Sequence, residues 1–75
     1  MKTVFGLWDS ETNNLVADFD TEFEALAYVV EEIELHGRDA VMTWGLLRDE
    51  GKNTAMVAAG RDLAEYARNT PMRTA

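Results

Sequence analysis

Two short apolar runs, each built on a central glycine, most constrain what this chain can become. Val4-Phe5-Gly6-Leu7-Trp8 lies near the start and Thr43-Trp44-Gly45-Leu46-Leu47 in the second half. Each is too brief for a helix, carries aromatic and branched side chains, and is followed by turn chemistry, Asp9 to Asn14 after the first and Asp49 to Asn53 after the second. These are strand signals. Behind each turn comes a weaker strand, Leu15 to Phe19 and Thr54 to Ala59. The loops are short enough to make both pairs antiparallel hairpins.

Each hairpin runs on into a helix. Thr21, with Glu24 three residues later, forms a capping box that satisfies free amide donors at a helix start. Phe23, Leu26, Ala27, Val30 and Ile33 then follow the three-and-four spacing of one buried stripe, and Gly37 can close the helix in a left-handed conformation. Residues 38–43 fit both a helical turn and the start of a strand. After Gly60, the segment Asp62 to Arg68 has an acidic start, a basic end and apolar residues at Leu63, Tyr66 and Ala67, a short helix matched to its own dipole. The expected fold is α+β, with a two-layer, four-stranded antiparallel sheet, two helices on one face and ββαββα order. The two halves align as an internal duplication. One domain over residues 1–68 is expected, followed by a flexible C-terminal tail over 69–75, where Pro71 falls and periodicity is lost.

Composition bears on function. With 75 residues, 47% of them hydrophobic, the chain holds one core and is not disordered. No cysteine is present, which removes disulfides and the usual structural zinc sites. Seven Lys and Arg stand against fourteen Asp and Glu, a formal charge of −7. That balance lacks the basic footprint of a nucleic-acid or membrane binder and favours a basic protein as partner. No apolar run approaches the ~20 residues of a membrane span, and Met1-Lys2-Thr3 leads straight into a strand, so a cytoplasmic location is expected.

The strand faces carry the main functional expectation. Pairing Trp8 with Leu15 sets Gly6 opposite Ala17 and Val4 opposite Phe19, a face whose small centre suits a close-lying helix, with Gly45 serving the second hairpin likewise. The other face then holds Phe5, Leu7, Val16, Trp44, Leu46 and Val57, broken only by Asp18. Two helices can roof one side of such a sheet. These six residues are therefore expected to form an interface with another protein, most simply a second copy of the chain. A register wrong by one reverses the assignment, making Phe5, Leu7, Trp44 and Leu46 core and exposing the glycine face.

Catalytic and metal constellations are sparse. His36, the lone histidine, sits in the last turn of the long helix, where its partial positive charge complements the dipole. Neither Ser10 nor any threonine has the context of a nucleophile. The acidic pairs Asp9 with Glu11, Asp18 with Asp20 and Glu31 with Glu32 lack a cleft to separate their pKa values. Asp9 to Asn14 resembles a calcium loop with Asp20 at the twelfth place, but Asn14 stands where the loop needs glycine, and a hairpin turn is the plainer reading. Trp8 and Trp44 lack the cations that surround base-stacking aromatics. No catalytic, cofactor or metal-binding residue is assigned.

Several segments carry a resemblance: Val4-Phe5-Gly6-Leu7-Trp8-Asp9, Asn14-Leu15-Val16, Phe19-Asp20-Thr21-Glu22 and Glu24-Ala25-Leu26. Together they resemble a group of short, uncharacterised bacterial proteins with aromatic-small-aliphatic-aromatic-Asp, Asn-Leu-Val, Phe-Asp-Thr-Glu and Glu-Ala-Leu in that order. A strand followed by an acidic, Glu-Ala-Leu-containing helix is also similar to HicB-type antitoxins, whose partly RNase H-like domain binds a small basic toxin; here two strands rather than three precede the long helix. The resemblance implies an antitoxin-like or regulatory role.

The leading expectation is a small acidic, non-catalytic protein-interaction module, homodimeric, with a basic protein as a further partner and no cofactor. The alternative is a small-molecule or metal-binding domain whose site lies at a dimer interface, built from carboxylates such as Asp18 and from Trp8 or Trp44.

Overall fold

The computed structural model describes residues 3–69. Strands β1 (Val4–Asp9) and β2 (Asn14–Phe19) form the first hairpin, followed by helix α1 (Glu22–His36). A 3-10 turn over Arg38–Val41 leads to β3 (Trp44–Asp49) and β4 (Thr54–Ala59), and α2 (Gly60–Asn69) ends the described chain. The four strands form one antiparallel sheet in the order β2-β1-β3-β4, so the two hairpins join along their first strands. Both helices lie on one side of it and share one core with the sheet. This is the expected ββαββα, two-layer α+β arrangement. Asn69 is the last residue of α2, and the rest of the expected tail, 70–75, lies outside the described residues.

The halves are related by a pseudo-two-fold axis through the centre of the sheet. Leu7 of β1 pairs directly with Leu46 of β3, and around them Gly6 pairs with Leu47 while Trp8 pairs with Gly45. Rotation about the Leu7–Leu46 pair exchanges those two flanking pairs. Each hairpin also has an irregularity at the equivalent step, between Leu7 and Trp8 in one and between Leu46 and Leu47 in the other. The extra residues are Val16 in β2 and Val57 in β4. A bulge of this kind lets two consecutive side chains point the same way. Val57 and Ala58 accordingly both pack on the core, as does Val16, with Ala17 opposite Leu7.

The bulge overturns part of the expected register. Trp8 does pair with Leu15, but beyond the bulge the partners shift by one residue, so that Leu7 meets Ala17, Gly6 meets Asp18 and Phe5 meets Phe19. The helices cover the face opposite to the one expected. Leu7 and Leu46 are fully buried, Trp44 is 8% exposed, and Phe5, Val16 and Val57 pack around them beneath α1 and α2. The six residues assigned to a partner are thus the floor and margin of the molecule's own core. The physical reason lies in the helices: Ala25, Ala64 and Ala67 are fully buried, so the close approach is made by small residues on the helices, and the sheet contributes large ones.

The long helix is rotated from the expected stripe for the same reason. Its buried residues are Ala25, Leu26 and Val29, with Tyr28, Val30 and Ile33 at the margin, while Phe23 is 48% exposed. At its ends, one of the two bonds of the expected capping box forms, and Gly37 closes the helix at positive φ. The Thr21 hydroxyl accepts from the Glu24 amide at 3.1 Å, and Gly37, at φ 92°, donates its amide to the Ile33 carbonyl. The ambiguous segment is the 3-10 turn, whose Val41 is fully buried between the helices. In α2 the buried residues are Leu63, Ala64 and Ala67. Tyr66 is exposed, and its hydroxyl donates to Glu22 of α1 at 2.8 Å. Gly60 makes the β4–α2 corner at φ +59°, where a Cβ would also lie 3.1 Å from the Met42 carbonyl oxygen.

Truncation should separate the buried core leucines from the exposed Phe23 of α1. Leu7→Ala and Leu46→Ala are each expected to cost about 2–5 kcal/mol as fully buried leucines, whereas Phe23→Ala should cost less than about 1 kcal/mol as a surface change. Urea unfolding with an unchanged m-value is the check; a Phe23 loss equal to that of Leu7 would restore the originally expected stripe.

A candidate interaction surface

The side of the sheet away from the helices is open and largely apolar. Alternation along the strands places Val4, Gly6 and Trp8 of β1 on it, with Gly45 and Leu47 of β3 between them and Met56 and Ala59 of β4; Leu15 of β2 completes it beside Trp8. Trp8 is 39% exposed, Leu15 44% and Met56 58%. The protein is a slab, 34 × 33 × 17 Å. Four strands of six residues present a face roughly 20 Å by 19 Å, about 400 Å² before side-chain relief.

The glycines are occupied hollows in this surface. Over Gly6, the position of an absent Cβ lies 3.2 Å from Trp8 Nε1 and 3.5 Å from Leu15 Cδ1. Over Gly45 it lies 3.3 Å from both Sδ and Cε of Met56 and 3.7 Å from Ala59 Cβ. Trp8, Leu15 and Met56 therefore lie down across the sheet, and apolar area is spread out flat. The sequence pattern placed Trp8, Gly6 and Gly45 under the helices; the structure places all three outside.

One end of the face deepens into a groove of about 530 Å³. Gly45 and Ala59 lie on its floor, Trp8, Leu47 and Met56 beside it, and Asp9, Ser10 and Thr43 at its polar end. That end is pinned by hydrogen bonds. The Ser10 amide and hydroxyl both donate to the Thr43 carbonyl, at 2.7 and 2.8 Å, and the Thr43 hydroxyl donates to Asp9 Oδ1 at 2.8 Å. Asp9 Oδ1 also accepts from the Glu11 amide at 2.9 Å. The Thr43 bond first, and the Glu11 amide second, hold the Asp9 carboxyl below its ordinary value of 3.8, so the groove ends in an ionised carboxylate at neutral pH.

Charge on the open face has one sign. Asp18 stands opposite Gly6 and Asp49 opposite Val4, and among the described residues no lysine or arginine alternates onto the face from the strands; Lys52 lies beyond Asp49, in the β3–β4 turn. Arg38 belongs to the 3-10 turn, and Arg61 and Arg68 to α2. Arg48 alternates to the helix side of β3 and sits 3.3 Å from Glu50.

The catalytic possibilities considered from the sequence are not brought together. His36 is exposed at the end of α1, its Nε2 3.8 Å from Glu32. Ser10 is committed to a backbone carbonyl, not to a base. Of the stretch from Asp9 to Asn14, Ser10 to Asn13 form the β1–β2 turn, with Asn13 at φ 60°, and among the described residues no three His, Asp or Glu side chains gather as a metal site. Of the residues named for a ligand site, Asp18 and Trp8 do share the open face, while Trp44 lies in the core with only an edge at the groove. Among the described residues no helix is long and apolar enough to cross a membrane. Comparison with known proteins finds no similar family model, curated protein or solved structure.

Loss of the Thr43 hydroxyl should move Asp9. In Thr43→Val the Asp9 carboxyl is expected to titrate closer to 3.8, as followed by carboxyl NMR. Because the folded value is depressed, the bond adds stability at pH above the ordinary carboxylate value and loses it as pH falls through the lowered one. The acid limb of a pH–stability curve should therefore be shallower in Thr43→Val than in the parent, and superposable curves would show that the bond does not govern this carboxylate.

Proposed function

We propose that this chain is a small acidic, non-catalytic protein-interaction module that works through the helix-free face of its sheet. The observation that carries this reading is the contiguous apolar surface of Trp8, Leu15, Leu47 and Met56, left open by helices that already cover the other side. Soluble monomers rarely leave apolar patches beyond a few hundred Å² uncovered, and such patches mark contact sites. Exposed aromatic and methionine side chains at its centre suit the anchor role that such residues play in interfaces. The groove beside Trp8 supports a second reading, a site for a small apolar ligand, which would show as a rise in melting temperature with ligand concentration.

The test compares the parent with Met56→Ser and Leu15→Ser, both exposed enough to fold normally by urea unfolding. Each is tagged and used for capture in native extract, with the mass of any retained chain measured. A chain held by the parent and lost by both variants supports the reading, and its mass tells a second copy from another protein. Equal recovery by all three would remove the face from consideration.

A further inference from the structure

The open face carries information about what would cover it. Resting on the interaction-module reading, we infer that its occupant is the cationic, amphipathic surface of a different protein, not a second copy of this chain. Three observations lead there. First, the charges that the strands put on the face, Asp18 and Asp49, and the carboxylate of Asp9 at the groove end are all negative, and no described strand cation shares it. Second, the groove joins an apolar floor and the indole of Trp8 to that carboxylate, a combination that accepts an aliphatic stem ending in an ammonium or guanidinium group. Third, self-association is disfavoured on charge: each copy brings a formal charge of −7 and sets Asp18 and Asp49 against a face whose strands carry no lysine or arginine among the described residues.

A basic partner reverses the sign of that charge interaction. Its lysines or arginines reach Asp9, Asp18 and Asp49 at the rim, adding charge-assisted contacts that a flat apolar face does not supply alone. Its apolar side chains cover Met56, Leu15 and Leu47. The resulting association is faster and tighter at low salt, because exposed charge pairs are screened within about 10 Å at 0.1 M.

The experiment uses the full chain and a synthetic Leu/Lys peptide of about 18 residues with one apolar helical face. A Leu/Glu peptide of the same pattern and a Leu/Lys peptide with its leucines dispersed are the controls. Emission of Trp8 reports occupancy, since Trp44 is already shielded. The amphipathic cationic peptide should bind with a blue shift, and neither control should match it. Asp18→Asn/Asp49→Asn is expected to weaken binding about five- to tenfold, and Met56→Ser by a comparable factor. Glu31→Gln/Glu34→Gln, which removes the same charge from exposed positions of α1, should change it less than about twofold. Equal losses from the two double variants, equal binding of the dispersed peptide, or undiminished binding by Met56→Ser would each overturn the inference. Sedimentation separates the two levels. A dimer that Met56→Ser dissociates, with no peptide binding, defeats the cationic partner and leaves the open-face reading standing; no engagement of the face by peptide or second copy, together with equal capture by parent and variants, defeats both.

Discussion

The contact between Leu7 and Leu46 is the one on which the rest of the structure depends. Both side chains are fully buried and directly opposed across the central strand pair. They lie on the pseudo-two-fold axis, so both hairpins and both helices are positioned by reference to them. Burying two leucines is worth roughly 3–6 kcal/mol, a large share of the stability of a domain this small. Turning this pair inward also fixes, through the two-residue alternation of strands, that Gly6, Trp8, Gly45 and Leu47 turn outward. The open face is therefore the geometric complement of the core.

That coupling explains what was legible in the sequence. Strands, helices, their order and the caps at Thr21 and Gly37 follow from local signals, because a capping box, a turn cluster or a short apolar run has the same meaning wherever it is packed. The choice of face was not local. Both sides of the sheet carry comparable apolar residues, so alternation alone leaves two answers, and the glycines favoured the wrong one. The deciding signals were Ala25, Ala64 and Ala67 on the helices, which let the helices approach the sheet over large side chains, and the adjacent pairs Val16-Ala17 and Val57-Ala58, which break alternation where a bulge sits. Each pair is readable in retrospect as two inward residues in succession. The open-face residues Leu15, Leu47 and Met56 had no separate signal; they become visible only once the core is assigned.

The glycines acquire a different meaning in this light. They do not admit a helix; they admit Trp8, Leu15 and Met56, which fold down over Gly6 and Gly45 instead of standing upright. A substituent at either glycine would push these side chains up by a few tenths of an ångström and roughen the surface. Flatness of this kind adds nothing to the core, since none of the three lying residues is buried. The core leucines and the most exposed surface residue, Met56, are thus separate sets, and altering Met56 costs the domain less than altering Leu7 or Leu46.

The edges of the sheet bear on how a partner would approach. An exposed strand edge invites pairing with another chain, and proteins guard against it with bulges, charges or short strands. Here both edge strands, β2 and β4, are only six residues long and each contains a bulge, at Val16 and Val57. A bulge interrupts the regular row of amides and carbonyls that a docking strand needs, and it does so at equivalent places in both halves. The same two residues that widen the core therefore spoil the edges. With edge pairing disfavoured on both sides and one face roofed by helices, the uncovered face is the remaining extended surface at which directional recognition can occur. Of its anchors, Trp8 stands on the interior strand β1, and Met56, carried by the edge strand β4, extends its thioether inward over Gly45 of β3. Recognition by side chains, not by strand addition, is what this architecture permits.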